Sequence, residues 1–113
     1  MEIRIKRAYT KPARSDGYRV LVDRIWPRGV SKDEAQLDDW MKDVAPSSKL
    51  RKWFNHDPDR WDEFKHRYFD ELEDKSEKLH VLRNKAKTGR ITLVYSAKDE
   101  EHNNAVALKE NLS

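Results

Sequence analysis

Two short runs constrain this chain most: "RVLV" at 19–22 and "ITLVY" at 91–95. Neither alternates apolar with polar residues. Unbroken β-branched and aliphatic residues over a strand's length imply burial on both faces, the condition of a central strand in a parallel sheet. The rest of the chain is very polar, 40% charged with a mean hydropathy of −1.09. Four Trp, four Tyr and three Phe supply burial area that such a composition would otherwise lack. At 113 residues one core suffices, so a single globular domain over 1–113 is expected.

The other elements are read around those two runs. "EIRIKRAY" alternates Ile3 and Ile5 with Arg4 and Lys6, a half-buried strand. "TKPARSDG" is a turn-rich loop, and Pro27 and Gly29 stop the strand after Val22. Ser31 and Glu34 form a capping box that opens a helix. Residues 37–44 fit two periods. Leu37, Trp40, Met41 and Val44 make a helical stripe, whereas Trp40, Lys42 and Val44 fit one face of a strand. Ser47 or Ser48 can cap a short helix, and Asp57-Pro58 starts another. That helix carries Trp61, Phe64, Tyr68 and Leu72 at one-turn steps, a packing stripe. A helix over 75–87 ends at Gly89. Asp99 caps a last helix with Ala105, Val106, Leu108 and Leu112 facing inward. Alternating strands and helices predict an α/β layered fold, a mostly parallel central sheet flanked by helices.

Several function classes fall away. The chain has no cysteine, which excludes disulfides, thiolate metal sites and cysteine nucleophiles. No two histidines have a metal-ligand spacing such as i, i+4, and no metal is expected. There is no Gly-rich phosphate cradle and no nucleophile elbow around Ser96, and no cofactor is expected. No apolar run has signal-peptide or membrane-spanning length, which predicts a cytoplasmic protein with no membrane partner. Charge is uneven: residues 1–32 hold nine Lys/Arg against three acids, and residues 33–113 hold fifteen against eighteen. A basic first third suits an anionic partner, although a solvated strand pair balanced by acidic helices accounts for it equally.

The candidate site follows from strand direction. In parallel sheets ligands bind beyond the carboxyl ends of the strands. Asp23, Arg24 and Arg28 follow "RVLV", and Ser96, Lys98, Asp99, His102, Asn103 and Asn104 follow "TLVY". If the two strands are parallel neighbours, the clusters share one crevice. Arg24 and Arg28 suit bidentate recognition of phosphate or carboxylate. Asp23 can orient one of them or act as a base. His102, placed about one turn into the last helix, can exchange a proton. The catalytic candidates are therefore Asp23 and His102, and the ligand-binding candidates Arg24, Trp26, Arg28, Ser96 and Asn103. Against a phosphate site, Asp99, Glu100 and Glu101 crowd the same helix start.

Three stretches, "VDRIWPRGVSK", "KDVAPSSKLRKWFNHDPDRW" and "LVYSAKDEEHNNAVAL", together resemble domain-of-unknown-function family 488, in its short, YeaO-like bacterial branch. The resemblance runs from Ile3 to Leu112. It implies an α/β protein with a central sheet, and no activity is established for that group. Longer members carry a strand where residues 38–44 fall, which tips that segment toward an extended form with Trp40 and Val44 buried. The motif positions implied as site residues are Asp23, Arg24, Trp26, Arg28, Ser96, His102 and Asn103, without assigned roles.

Two functional readings stand. One is an enzyme or binding domain for a small anionic, phosphate- or nucleotide-like molecule at the strand ends. The other is a nucleic-acid module using the basic first third, with Tyr9, Tyr18 or Trp26 as stacking groups. A partner-binding domain without chemistry is the plain alternative.

Overall fold

The computed structural model describes all 113 residues. Four strands, β1 (Glu2–Arg7), β2 (Tyr18–Leu21), β3 (Asp39–Trp40) and β4 (Arg90–Tyr95), form one sheet in the order β1-β4-β2-β3. Every pair is parallel. The two apolar runs are the two inner strands, with Val20 opposite Leu93 and Leu21 opposite Val94. Val20, Leu21 and Val22 are fully buried, as burial on both faces requires.

Five α-helices connect and cover the strands: α1 (Lys32–Ala35), α2 (Ser48–Phe54), α3 (Trp61–Leu72), α4 (Ser76–Thr88) and α5 (Asn104–Leu112). The two faces of the sheet are covered differently. Ile3, Val20, Val22, Ile91, Leu93 and Tyr95 join the main core with residues of α2 to α5. The other face holds Ala8, Leu21 and Val94, packed against Trp26 and Leu37 from the connecting segments and Trp40 of β3. Beside that apolar patch lies a buried polar network. Arg19 is 4% exposed and Asp16 5%. Arg19 Nη1 donates to Asp16 Oδ2 (2.7 Å) and Nη2 to the Ala35 carbonyl (2.8 Å). Lys6 Nζ donates to Asp16 Oδ1 (2.9 Å), and Thr92 Oγ1 to the Asp16 carbonyl (2.6 Å). This network ties the loop before β2 and the end of α1 to the sheet.

The capping signals hold at most starts. Ser31 and Glu34 exchange their capping-box bonds, Ser47 caps α2, and Asp57 caps a 3-10 turn that runs into α3. The helix that Ser31 opens is a single turn, ended by Gln36 in the left-handed region (φ 45°). Gly89 ends α4 in extended backbone rather than as a left-handed cap. The last helix begins later than Asp99: its cap is Asn103, and Asp99 instead accepts from the amides of Glu101 and His102 in the turn before it. Residues 38–44 are extended only at Asp39–Trp40, and Lys42–Val44 is a 3-10 turn. Val44 is buried, while Trp40 is only partly covered. The turn is held from the helical side, because the hydroxyl of fully buried Tyr68 donates to the Val44 carbonyl. Burial pushes that hydroxyl's pKa well above the tyrosine range. No helix is long and apolar enough to cross a membrane.

Candidate functional site

Because all four strands run the same way, their exits gather on one edge of the sheet, and the exits of β2 and β4 are neighbours. Asp23 joins them. Its Oδ2 accepts from the Ser96 amide (2.9 Å) and the Ser96 hydroxyl (2.7 Å). Its Oδ1 accepts from Asn104 Nδ2 (3.0 Å), which also donates to the Val22 carbonyl (2.9 Å). Trp40 Nε1 donates to the Asp23 carbonyl (2.7 Å). One carboxylate thus ties both inner strands to the first residue of α5. The two sequence clusters meet through Asp23 and Ser96.

The remaining candidates separate. Arg24 lies over the 45–46 backbone, with Nε 3.3 Å from the Pro46 carbonyl and Nη2 3.4 Å from the Ala45 carbonyl. It lines a cavity of about 300 Å³ with Asp43, Glu71, Asp74 and Lys75, where acids outnumber bases. Trp26 packs edge-on to Trp40 (centroids 5.3 Å apart) and donates from Nε1 to the Val30 carbonyl (2.6 Å). Residues 27–30 form a turn closed by the Val30 amide on the Pro27 carbonyl (3.4 Å), with Gly29 at φ 79°. That positive φ is why the Pro-Arg sequence is followed by glycine. Arg28 stands exposed on this turn, and its carbonyl accepts from the Tyr9 hydroxyl (2.9 Å).

His102 precedes the cap of α5 rather than lying one turn inside the helix. Its Nδ1 is 3.0 Å from Asp99 Oδ2, and its ring meets Trp61 edge-on (centroids 5.4 Å apart). Asp99 titrates below the ordinary carboxylate range because the Glu101 and His102 amides donate to it. Buried Asn103 accepts from the Val106 amide (3.0 Å) and donates to the Asp99 carbonyl (2.9 Å), which makes it the cap of α5.

One neighbour of the site, Arg7, is not among the sequence candidates. Arg7, at the exit of β1, donates from Nε to the Ala97 carbonyl (2.8 Å) and from Nη2 to the Ser96 carbonyl (3.3 Å). Its guanidinium carbon is 5.0 Å from the ring centroid of Tyr9, which is 48% exposed. From the sequence, Tyr9 is a candidate only as a stacking group. Neither Arg7, Arg24 nor Arg28 has a carboxylate within ion-pair distance. The signal for Arg7 was its place at the end of a strand, readable only once that strand is known to run parallel to the others.

The profile of DUF488-N3i, described as the inactive DUF488-N3 subclade, matches residues 2–113. The chain belongs to this family. The uncharacterized protein YeaO of Escherichia coli K12 is 41% identical over 110 residues, covering 97% of this chain and 96% of YeaO. The uncharacterized proteins Mb3100c of Mycobacterium bovis and Rv3073c of Mycobacterium tuberculosis are each 42% identical over 111 residues, covering 98% of this chain and 93% of theirs. No solved structure matches the chain. The stretch "VDRIWPRG" corresponds to one continuous piece of structure: the exit of β2, the Asp23 junction, the Trp26–Trp40 contact and the 27–30 turn.

Proposed function

We propose that this DUF488 protein is a binding domain for a small anionic, phosphate- or nucleotide-like ligand, without a chemical step of its own. The ligand meets the carboxyl edge of the sheet at Arg7, Tyr9 and Arg28. One observation carries the reading. Arg7 is held in a fixed pose by two backbone carbonyls, has no carboxylate partner, and lies against an exposed tyrosine ring whose hydroxyl reaches the Arg28 turn. A fixed, unneutralised guanidinium beside an aromatic face suits a phosphate and an attached planar group. Asp23 and Ser96 serve as the frame under this edge. The absence of a chemical step is supported by the subclade's description as inactive. The bonding of Asp23 agrees, since both its oxygens already accept from the fold.

The test is thermal unfolding of the wild type and Arg28→Ala in inorganic phosphate and in a nucleoside monophosphate. Arg28 is exposed and its side chain makes no bond in the fold, so the variant without ligand should melt as the wild type does. A ligand at a hundred times its Kd should add about 2.7 kcal/mol to the wild type and nothing to the variant. A wild type that no anion stabilises refutes the reading. Tight binding of an oligonucleotide that collapses with salt would instead give these residues to a nucleic-acid surface.

A further inference from the structure

The outer side of β1 is an open sheet edge, and its residue pattern matches a second copy of itself. The Ala8 amide donates to the Tyr95 carbonyl (2.6 Å), so by strand alternation Arg4 and Lys6 also turn their backbone groups toward β4. Ile3 and Ile5 then turn theirs outward, where no loop or side chain of the chain bonds them. Exposed N–H and C=O groups in a row are a template for another strand.

We propose that two copies pair through β1, antiparallel about a two-fold axis at Ile3, to form one eight-stranded sheet. In a two-fold pairing the outward groups must face each other, so the axis falls on Ile3, Arg4 or Ile5. Charge distinguishes the three registers. An axis at Arg4 sets Arg4 opposite Arg4, between two pairs of Glu2 opposite Lys6. An axis at Ile5 sets Arg4 opposite Lys6 twice. An axis at Ile3 sets Glu2 opposite Arg4 twice and, on the other face, Ile5 opposite Met1 twice. Only the last has opposite charges across from each other with no like pair beside them, and like charges directly opposite are unfavourable. The side chains are available for it. Glu2 and Arg4 lie on the same face 3.3 Å apart with about half of each side chain exposed, Glu2 also meeting Arg90 Nε at 3.0 Å, and Met1 is 60% exposed. Lys6 is folded back onto Asp16 with only 20% of its side chain exposed, which weakens its pairing with Glu2 in the Arg4-centred register. The same charges discourage the other registers, so the edge favours one closed dimer over open-ended association.

Sedimentation of the full chain over a concentration series up to the millimolar range tests this. The wild type should show a monomer–dimer equilibrium. Arg4→Glu, which sets Glu2 opposite a second acid twice, should weaken dimerisation about tenfold. The charge-swapped double variant Glu2→Arg/Arg4→Glu should restore it, and circular dichroism of each variant checks that it folds. A wild type monomeric at every concentration overturns the proposal. So does an Arg4→Glu variant that dimerises as tightly as the wild type, or a folded double variant that recovers nothing.

Discussion

Arg19 lies within an apolar strand, yet its guanidinium is buried with all three nitrogens bonded. It bonds Asp16 and the carbonyls of Ala35 and Gln36. A buried charge survives only when paired and hydrogen-bonded, and losing one partner costs more than the pair contributes. Burial alone raises the Asp16 pKa, but donors from Lys6, the Ala13 amide and Arg19 outweigh it and hold the carboxyl below its ordinary range. A depressed folded pKa means that the ionised carboxylate stabilises the fold. That stabilisation is full above the unfolded pKa of about 3.9 and is lost as pH falls through the folded value. Asp16→Asn should therefore be less stable than the wild type near pH 7 and approach it below about pH 4. Urea melts across that range check it, and a gap that stays constant with pH would place the effect of the substitution outside titration. Asp23 also turns its carboxylate to the fold, accepting hydrogen bonds from Ser96 and Asn104. Its residue type was readable as a site candidate, but whether it faced a ligand or the fold was not.

At the scale of elements, segment 38–44 shows how a pattern with two periods resolves. Neither the helix nor the long strand forms. Asp39–Trp40 pairs with Val20–Leu21, and the chain then turns so that Val44 enters the helical core. Trp40 stays on the loop-covered face, where Trp26 meets its edge and Lys42 Nζ lies 4.1 Å from its ring centroid. Full burial would make Trp40→Ala cost about 3–5 kcal/mol, and partial burial lowers the expectation to about 2 kcal/mol. The urea midpoint of the variant measures this, and a loss of 4 kcal/mol or more would mean the ring is more deeply packed. The loop before β2 carries a similar constraint. Gly17 has φ 67°, and a Cβ there would stand 2.3 Å from the Arg90 carbonyl oxygen, so the loop crosses β4 only with glycine at that point.

Across the whole molecule, the sheet is covered unequally. Four helices build one face, whereas connecting segments and a polar network cover the other. Opening free energy follows buried contacts and paired backbone. Hydrogen exchange should therefore be slowest in β4, which has a strand on both sides, and fastest in the exposed parts of 22–38. Slower exchange in 22–38 than in β4 would contradict this account. The parallel α/β class, the two inner strands and most helix starts were readable from the sequence, because each rests on local rules: apolar runs, period and capping chemistry. The resemblance added the family but no roles. Tertiary structure alone decided that Asp23 bonds Ser96 and Asn104, that Arg24 and Arg28 take different neighbourhoods, and that Arg7 and Tyr9 stand at the edge. Those facts depend on which strands are adjacent and how the loops return over them. Contacts between residues 70 to 90 positions apart, such as Asp23 with Ser96 and Arg7 with Ala97, are set by packing of the whole chain and leave no periodic trace in the sequence.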